Sequence, residues 1–159
     1  YHGQVKELCT KYGEIGGFWF DGWWDKPNAD WKLNELYEMI HSLQPSALVG
    51  NNHHVDPFPG EDFQIFEQDL PGENTAGFNK AKVSNLPLET CLTMNNSWGY
   101  NSLDNNYKSL ETLKEYFRKA WSKGANLLLN VGPLPNGKLV SEQAELLQKI
   151  GLWIKSLER

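Results

Sequence analysis

Five short apolar runs, IGGFWF, ALVGN, DFQIFE, LETCLTMN and ANLLLNVGP, constrain this chain more than any other feature. Each is too brief for a helix of its own and reads as a buried strand. Around them lie stretches with a period near 3.6. Residues 2–13 place Val5, Leu8, Cys9 and Tyr12 at helical intervals and stop at Gly13, a residue common just past a helix end. From Asp30 to Gln44, Trp31, Leu33, Leu36, Tyr37, Ile40 and Leu43 repeat near a period of 3.6, with Asp30 expected as the N-cap and Pro45 as the stop. Two further amphipathic helices are expected over 108–123, closed by Gly124, and over 141–158, capped by Ser141. Short strands interleaved with helices favour parallel pairing, because the helix returns the chain to the edge of the sheet where it began. The expected fold is α/β with about five parallel strands and outer helices, which suits an open sheet or part of a barrel. The connection 68–87 has no clear period, and a loop of that length is often functional. No repeat, low-complexity tract or linker interrupts the chain, so residues 1–159 read as one domain.

With 40% hydrophobic residues in 159, the chain is long enough to bury a core. A net charge of −5 and the lack of a Lys/Arg-rich run argue against nucleic acid as a partner, since phosphate binding draws on clustered positive charge. No apolar run approaches the roughly 20 residues of a membrane span. The first residues carry neither an initiating Met nor a signal-like segment, so the chain is expected to be an internal piece of something longer, with its compartment and oligomeric state unreadable. Cys9 and Cys91 are far apart and form no CxxC pair, which indicates neither a zinc site nor a disulfide-dense scaffold. No cofactor is expected.

Side chains alternate along a strand, so Gly17, Trp19 and Asp21 share one face and Asp21 stands at the carboxyl end. α/β folds gather their chemistry at that end. Phe63, Ile65 and Glu67 share a face by the same logic, again with a carboxylate at the exit. Two carboxylates facing one cleft are the minimum equipment for glycoside hydrolysis. Aromatic residues make up 13% of the chain, and several of its seven Trp stand beside Gly, Asp or Asn, which suits the apolar face and polar rim of a pyranose. His53 and His54 lie near Asp56 and Glu61, but adjacent residues on extended chain point apart, so no metal site is expected. The residues by themselves describe an α/β domain with an aromatic, acidic cleft. A catalytic domain and a non-catalytic carbohydrate-binding module would both satisfy that description.

The blocks WFDGWW, LPLETC, WGY and ANLLLNVGPLPNG resemble, in the same order, those of the retaining glycoside hydrolase family of α-L-fucosidases. The resemblance implies the C-terminal part of a (β/α)8 catalytic barrel acting on a fucosylated glycan or glycoside, in a secreted, periplasmic or lysosomal protein. It implies Asp21 as the nucleophile and Glu67 as the acid/base. Glu89 of LPLETC is the alternative acid/base; Glu67 is preferred because it ends its strand whereas Glu89 begins one, on the side away from the cleft. Trp19 and Trp24 are implied to line the fucose pocket, and Trp98 of WGY to pack on the sugar's apolar side. Where bacterial relatives carry a pocket arginine this chain has Asn or His, so one of His53 and His54 is expected to touch substrate. A barrel glycosidase for another sugar remains the alternative within the same class.

Overall fold

The computed structural model describes residues 1–157. Its elements are α1 (His2–Lys11), β1 (Gly17–Asp21), a 3-10 turn (Trp23–Asp25), α2 (Leu33–Leu43), β2 (Leu48–Asn52), β3 (Gln64–Glu67), β4 (Leu88–Thr93), α3 (Leu110–Ser122), β5 (Ala125–Asn130) and α4 (Ser141–Leu157). All five expected strands form, and every pairing is parallel. The last residue of the expected final helix, Glu158, lies outside the described residues. No described helix is long and apolar enough to cross a membrane. Cys9 and Cys91 are buried free thiols.

β1 pairs with β2 so that Asp21 stands opposite Asn52, and β3, β4 and β5 pair with Glu67 opposite Cys91 and Cys91 opposite Leu128. The two sheets meet at a single bridge between Gly50 and Phe63. Asp62 reinforces that seam. Its N–H donates to the Val49 carbonyl at 2.7 Å, and its carboxylate accepts the Val49 N–H at 2.8 Å and lies 2.9 Å from His41 Nε2. The side chain thereby supplies a hydrogen bond that the short ladder lacks.

One face of the strands carries the helices. Val5 and Cys9 of α1 and Leu36, Tyr37 and Ile40 of α2 pack with Val49, Phe18 and Phe20. Ala120, Tyr116 and Phe117 of α3 cover Leu92 and Leu127, while Met94, Leu113 and Ile150 join α3 to α4. Full burial stabilises each such large side chain by about 1.5–3 kcal/mol. Trp19, Asp21, Asn52, Glu67, Glu89 and Cys91 lie on the opposite face, by the alternation of side chains along each strand.

α2 departs from expectation at its start. Trp31 donates its indole N–H to the Lys26 carbonyl and its backbone N–H to Ala29, both at 2.9 Å. These bonds keep the chain out of the helix until Lys32, which sits at φ 50° as the N-cap and provides no side-chain cap bond. Asp30 is therefore not the cap. α3 follows the usual chemistry, with Ser109 Oγ accepting the Thr112 N–H at 3.1 Å. Ser141 is the first residue of α4 rather than its cap.

The connection 68–87 holds neither helix nor strand, yet it is tied down. The Gln64 amide donates to the Lys82 carbonyl at 2.8 Å and accepts the Ser84 N–H at 2.9 Å. The Asp69 carboxylate accepts the N–H groups of Thr75 and Ala76, the Thr75 hydroxyl and the Asn79 amide. Burial pushes the Asp69 pKa up, but these bonds outweigh it and hold the group below its ordinary value.

A Cβ at Gly50 would come within 2.2 Å of the Phe63 ring, whereas one at Gly3 in α1 meets nothing within 4 Å. Gly50→Ala is therefore expected to destabilise the fold by about 1–3 kcal/mol, and Gly3→Ala to stabilise it by about 0.5–1 kcal/mol. Urea unfolding of both variants checks the opposite signs.

Candidate active site

Parallel β1, β2 and β3 end on Asp21, Asn52 and Glu67, so three polar side chains leave the sheet at one end. With Trp19, Cys91 and Trp98 they line a hollow of about 500 Å³. Asn52 Nδ2 donates to Asp21 Oδ1 at 3.2 Å and to Glu67 Oε2 at 2.7 Å. Those two oxygens are thus at most about 6 Å apart, the two bonds laid end to end. Gly22, at φ 83°, turns the chain sharply after β1 and donates its N–H to Asp21 Oδ1 at 2.8 Å. Among the described residues, Asp21 Oδ2 accepts no hydrogen bond.

Glu67 is held through its backbone. Asn79 accepts the Glu67 N–H at 3.3 Å and donates to its carbonyl at 2.7 Å, and Gln68 follows in the left-handed region at φ 56°. His54, also left-handed at φ 62°, brings Nε2 to 3.5 Å from Glu67 Oε2. Burial lowers the His54 pKa more strongly than the Glu67 charge raises it, so the imidazole is neutral at pH 7. Cys91 stays a thiol, because burial and then the charges of Glu67, Glu89 and Asp21 push its pKa up.

Glu89 stands elsewhere. It pairs in register with Ile65, two residues before Glu67 on β3, which at about 3.3 Å per residue places it near 7 Å deeper along the strands. Its Oε1 accepts the Trp19 indole N–H at 2.8 Å and its Oε2 the Asn126 amide at 3.1 Å. Glu89 therefore fixes the ring that walls the hollow. Trp98, which also lines the hollow, is held by Asn130, whose amide donates to its carbonyl at 2.8 Å, and Gly132 packs on the backbone of Gly99, which a Cβ would approach to 2.6 Å.

Trp19, Asp21, Glu67 and Trp98 thus come together as the sequence predicts, with His54 against Glu67. Trp24 and, of the two histidines, His53 do not join them. The turn after Gly22 carries Trp24 onto a neighbouring hollow, where it is 53% exposed. His53 is 3% exposed, its Nε2 lying 2.9 and 3.1 Å from the Glu61 oxygens and its Nδ1 accepting the Val55 N–H at 3.2 Å. Nε2 therefore carries the proton and donates it to Glu61. Tyr37 also donates to Glu61 and accepts from Asn51, completing a buried network in which His53 has no free edge for a sugar.

The family model described as alpha-L-fucosidase matches residues 1–158. The chain belongs to the alpha-L-fucosidase family. A plasma alpha-L-fucosidase of Rattus norvegicus is 34% identical over 157 residues, covering 96% of this chain and 33% of its own. An alpha-L-fucosidase of Dictyostelium discoideum is 26% identical over 159 residues, covering 95% and 32%. Among solved structures, alpha-L-fucosidase isoenzyme 1 of Paenibacillus thiaminolyticus superposes with a TM-score of 0.78 at 36% identity, covering 97% of this chain and 38% of its own. The Lactobacillus casei alpha-L-fucosidase, in complex with α-L-fucose product, gives 0.77 at 28%, covering 99% and 45%. The chain spans about a third of the length of the curated relatives it matches.

In this fucosidase-family chain, sequence reasoning passed over Asn52 and Asn79. Asn52 had a usable signal, since the strand LVGNN ends on a polar residue as WFD and IFE do. Asn79 had none, because it lies in the aperiodic connection. The two histidines separate experimentally. His53→Ala leaves buried Glu61 with Tyr37 as its remaining side-chain donor and is expected to cost roughly 2–4 kcal/mol in urea unfolding; His54→Ala is expected to cost about 1 kcal/mol or less.

Proposed function

We propose that this chain forms the C-terminal part of the catalytic (β/α)8 barrel of a retaining α-L-fucosidase, with Asp21 as nucleophile and Glu67 as acid/base. The observation that carries the proposal is the Asn52 amide, which donates to both carboxylates in one hollow. A separation of at most about 6 Å lies nearer the roughly 5–5.5 Å of retaining enzymes than the 6.5–9.5 Å of inverting ones.

In the first step Asp21 Oδ2 forms an ester bond to C1 of fucose as the glycosidic C–O bond breaks. Glu67 gives its proton to the departing oxygen. In the second, Glu67 takes a proton from water, the water oxygen bonds to C1, and the ester breaks to return the Asp21 carboxylate. Asn52 steadies the Asp21 oxygen that does not attack, and the neutral His54 accompanies Glu67 through both charge states. The Trp19 and Trp98 rings form the walls for the apolar side of the sugar and exclude water from the ester. Structures of the L. casei relative with 4-nitrophenyl fucopyranoside and with Fucα(1,6)GlcNAc support α-L-fucosides as the substrate class. A (β/α)8 barrel needs eight strands, and we assign turnover to a longer protein in which further strands face β1 and β5.

On an aryl fucoside, Asp21→Asn in that full-length protein is expected to lower kcat by at least about 10³-fold. Glu67→Gln is expected to lower it by roughly 10²–10⁴-fold and to remove the basic limb of the pH profile of kcat/KM, which reports the proton donor. Glu89→Gln should keep that limb while raising KM, because its one amide oxygen replaces the two acceptors that serve Trp19 and Asn126, which loosens the Trp19 ring. A limb that survives in Glu67→Gln and vanishes in Glu89→Gln reverses the assignment. The 159-residue chain by itself is expected to show no turnover.

A further inference from the structure

We propose that the hollow on the far side of His54 receives the sugar ring from which fucose is cleaved, and that Trp24 is the platform on which that ring stacks. The inference rests on the fucosidase reading above and adds a second binding site to it. The hollow measures about 260 Å³ and is lined in part by Trp23, Trp24, His54, Phe78 and Lys80. It falls just below the roughly 300 Å³ where pockets for larger ligands begin, which suits a single ring.

Its position follows from the chemistry of the first hollow. A general acid must touch the leaving oxygen, so the leaving ring lies beyond the acid, away from the nucleophile. Glu67 lines the first hollow and His54 lines the second, with 3.5 Å between His54 Nε2 and Glu67 Oε2. The boundary between the two hollows is therefore where the scissile oxygen belongs.

Its surface matches a pyranose. The Trp24 ring is 53% exposed, yet it is held at 26° to the His54 plane with centroids 6.5 Å apart. The Phe78 ring also packs on His54, with centroids 4.6 Å apart. An indole kept in solvent by a glycine at φ 83° and a 3-10 turn contributes nothing to the core. It offers a flat apolar wall of the kind a sugar's apolar face requires. Lys80 is exposed at the rim and makes no ion pair among the described residues, so its ammonium is free to donate to ring hydroxyls.

The test uses the full-length protein with two kinds of substrate. α-L-Fucosyl fluoride has no ring beyond the scissile bond; α-fucosyl-(1→2)-galactose and the (1→3)- and (1→6)-linked fucosyl N-acetylglucosamines have one. For the disaccharide the wild type cleaves best, the ratio of its kcat/KM to that of the fluoride is expected to fall at least tenfold in Trp24→Ala. Trp24→Phe should restore most of it, and Phe78→Ala should lower it in the same direction. Because Trp24 is exposed, its two variants are expected to keep the unfolding midpoint of the wild type. A ratio in Trp24→Ala that changes less than tenfold overturns the inference, as does a wild type that cleaves the fluoride but none of the disaccharides. Failure of the fucosidase reading looks different: the wild type then releases fluoride no faster than Asp21→Asn.

Discussion

One amide nitrogen, Nδ2 of Asn52, ties together the two carboxylates on which the proposed chemistry depends. Two unit charges about 6 Å apart repel by about 3 kcal/mol at an effective dielectric of 20. A donor shared between them, at 3.2 Å from Asp21 and 2.7 Å from Glu67, offsets part of that repulsion and sets their spacing. The arrangement is a consequence of backbone register. Asp21 faces Asn52 because β1 and β2 pair in parallel, and Glu67 joins them because Asp62 holds β3 to β2 where the ladder itself is one bridge long. A slip of one residue in either pairing would turn a carboxylate toward the helices.

Around that centre each functional side chain has a partner that does no chemistry. Asn79 grips the backbone of Glu67 on both sides, Glu89 holds the Trp19 indole, and Asn130 holds the Trp98 loop. In the proposed reaction such supporting contacts keep the reacting groups in place before substrate arrives, which is the condition for electrostatic stabilisation of a transition state. Two of the three left-handed residues other than glycine among the described residues lie in the same region. His54 and Gln68, at φ 62° and φ 56°, sit at the exits of β2 and β3, where local strain is tolerated because the surroundings over-determine it.

Much of this was legible in the sequence because it depends on local pattern. Apolar runs located all five strands, and alternation along WFD and IFE placed both acids at exits on one face. The failures came from contacts made at a distance or from backbone turns. Asp30 looked like a cap, but the Trp31 indole bonds Lys26 and delays the helix to Leu33. Trp24 looked like a neighbour of Asp21 in the same pocket, but the left-handed Gly22 swings it onto the next one. His53 and His54 are adjacent in the chain, yet Glu61 claims one and Glu67 approaches the other. No periodicity encodes which acid each would meet.

The most direct test is to trap the covalent intermediate on the full-length protein. Incubation with 2-deoxy-2-fluoro-α-L-fucosyl fluoride, followed by proteolysis and tandem mass spectrometry, should place a fluorofucosyl ester on Asp21 within FWFDGWW. An ester on Glu67 or Glu89, or cleavage of α-L-fucosides with inversion at C1, would contradict the account.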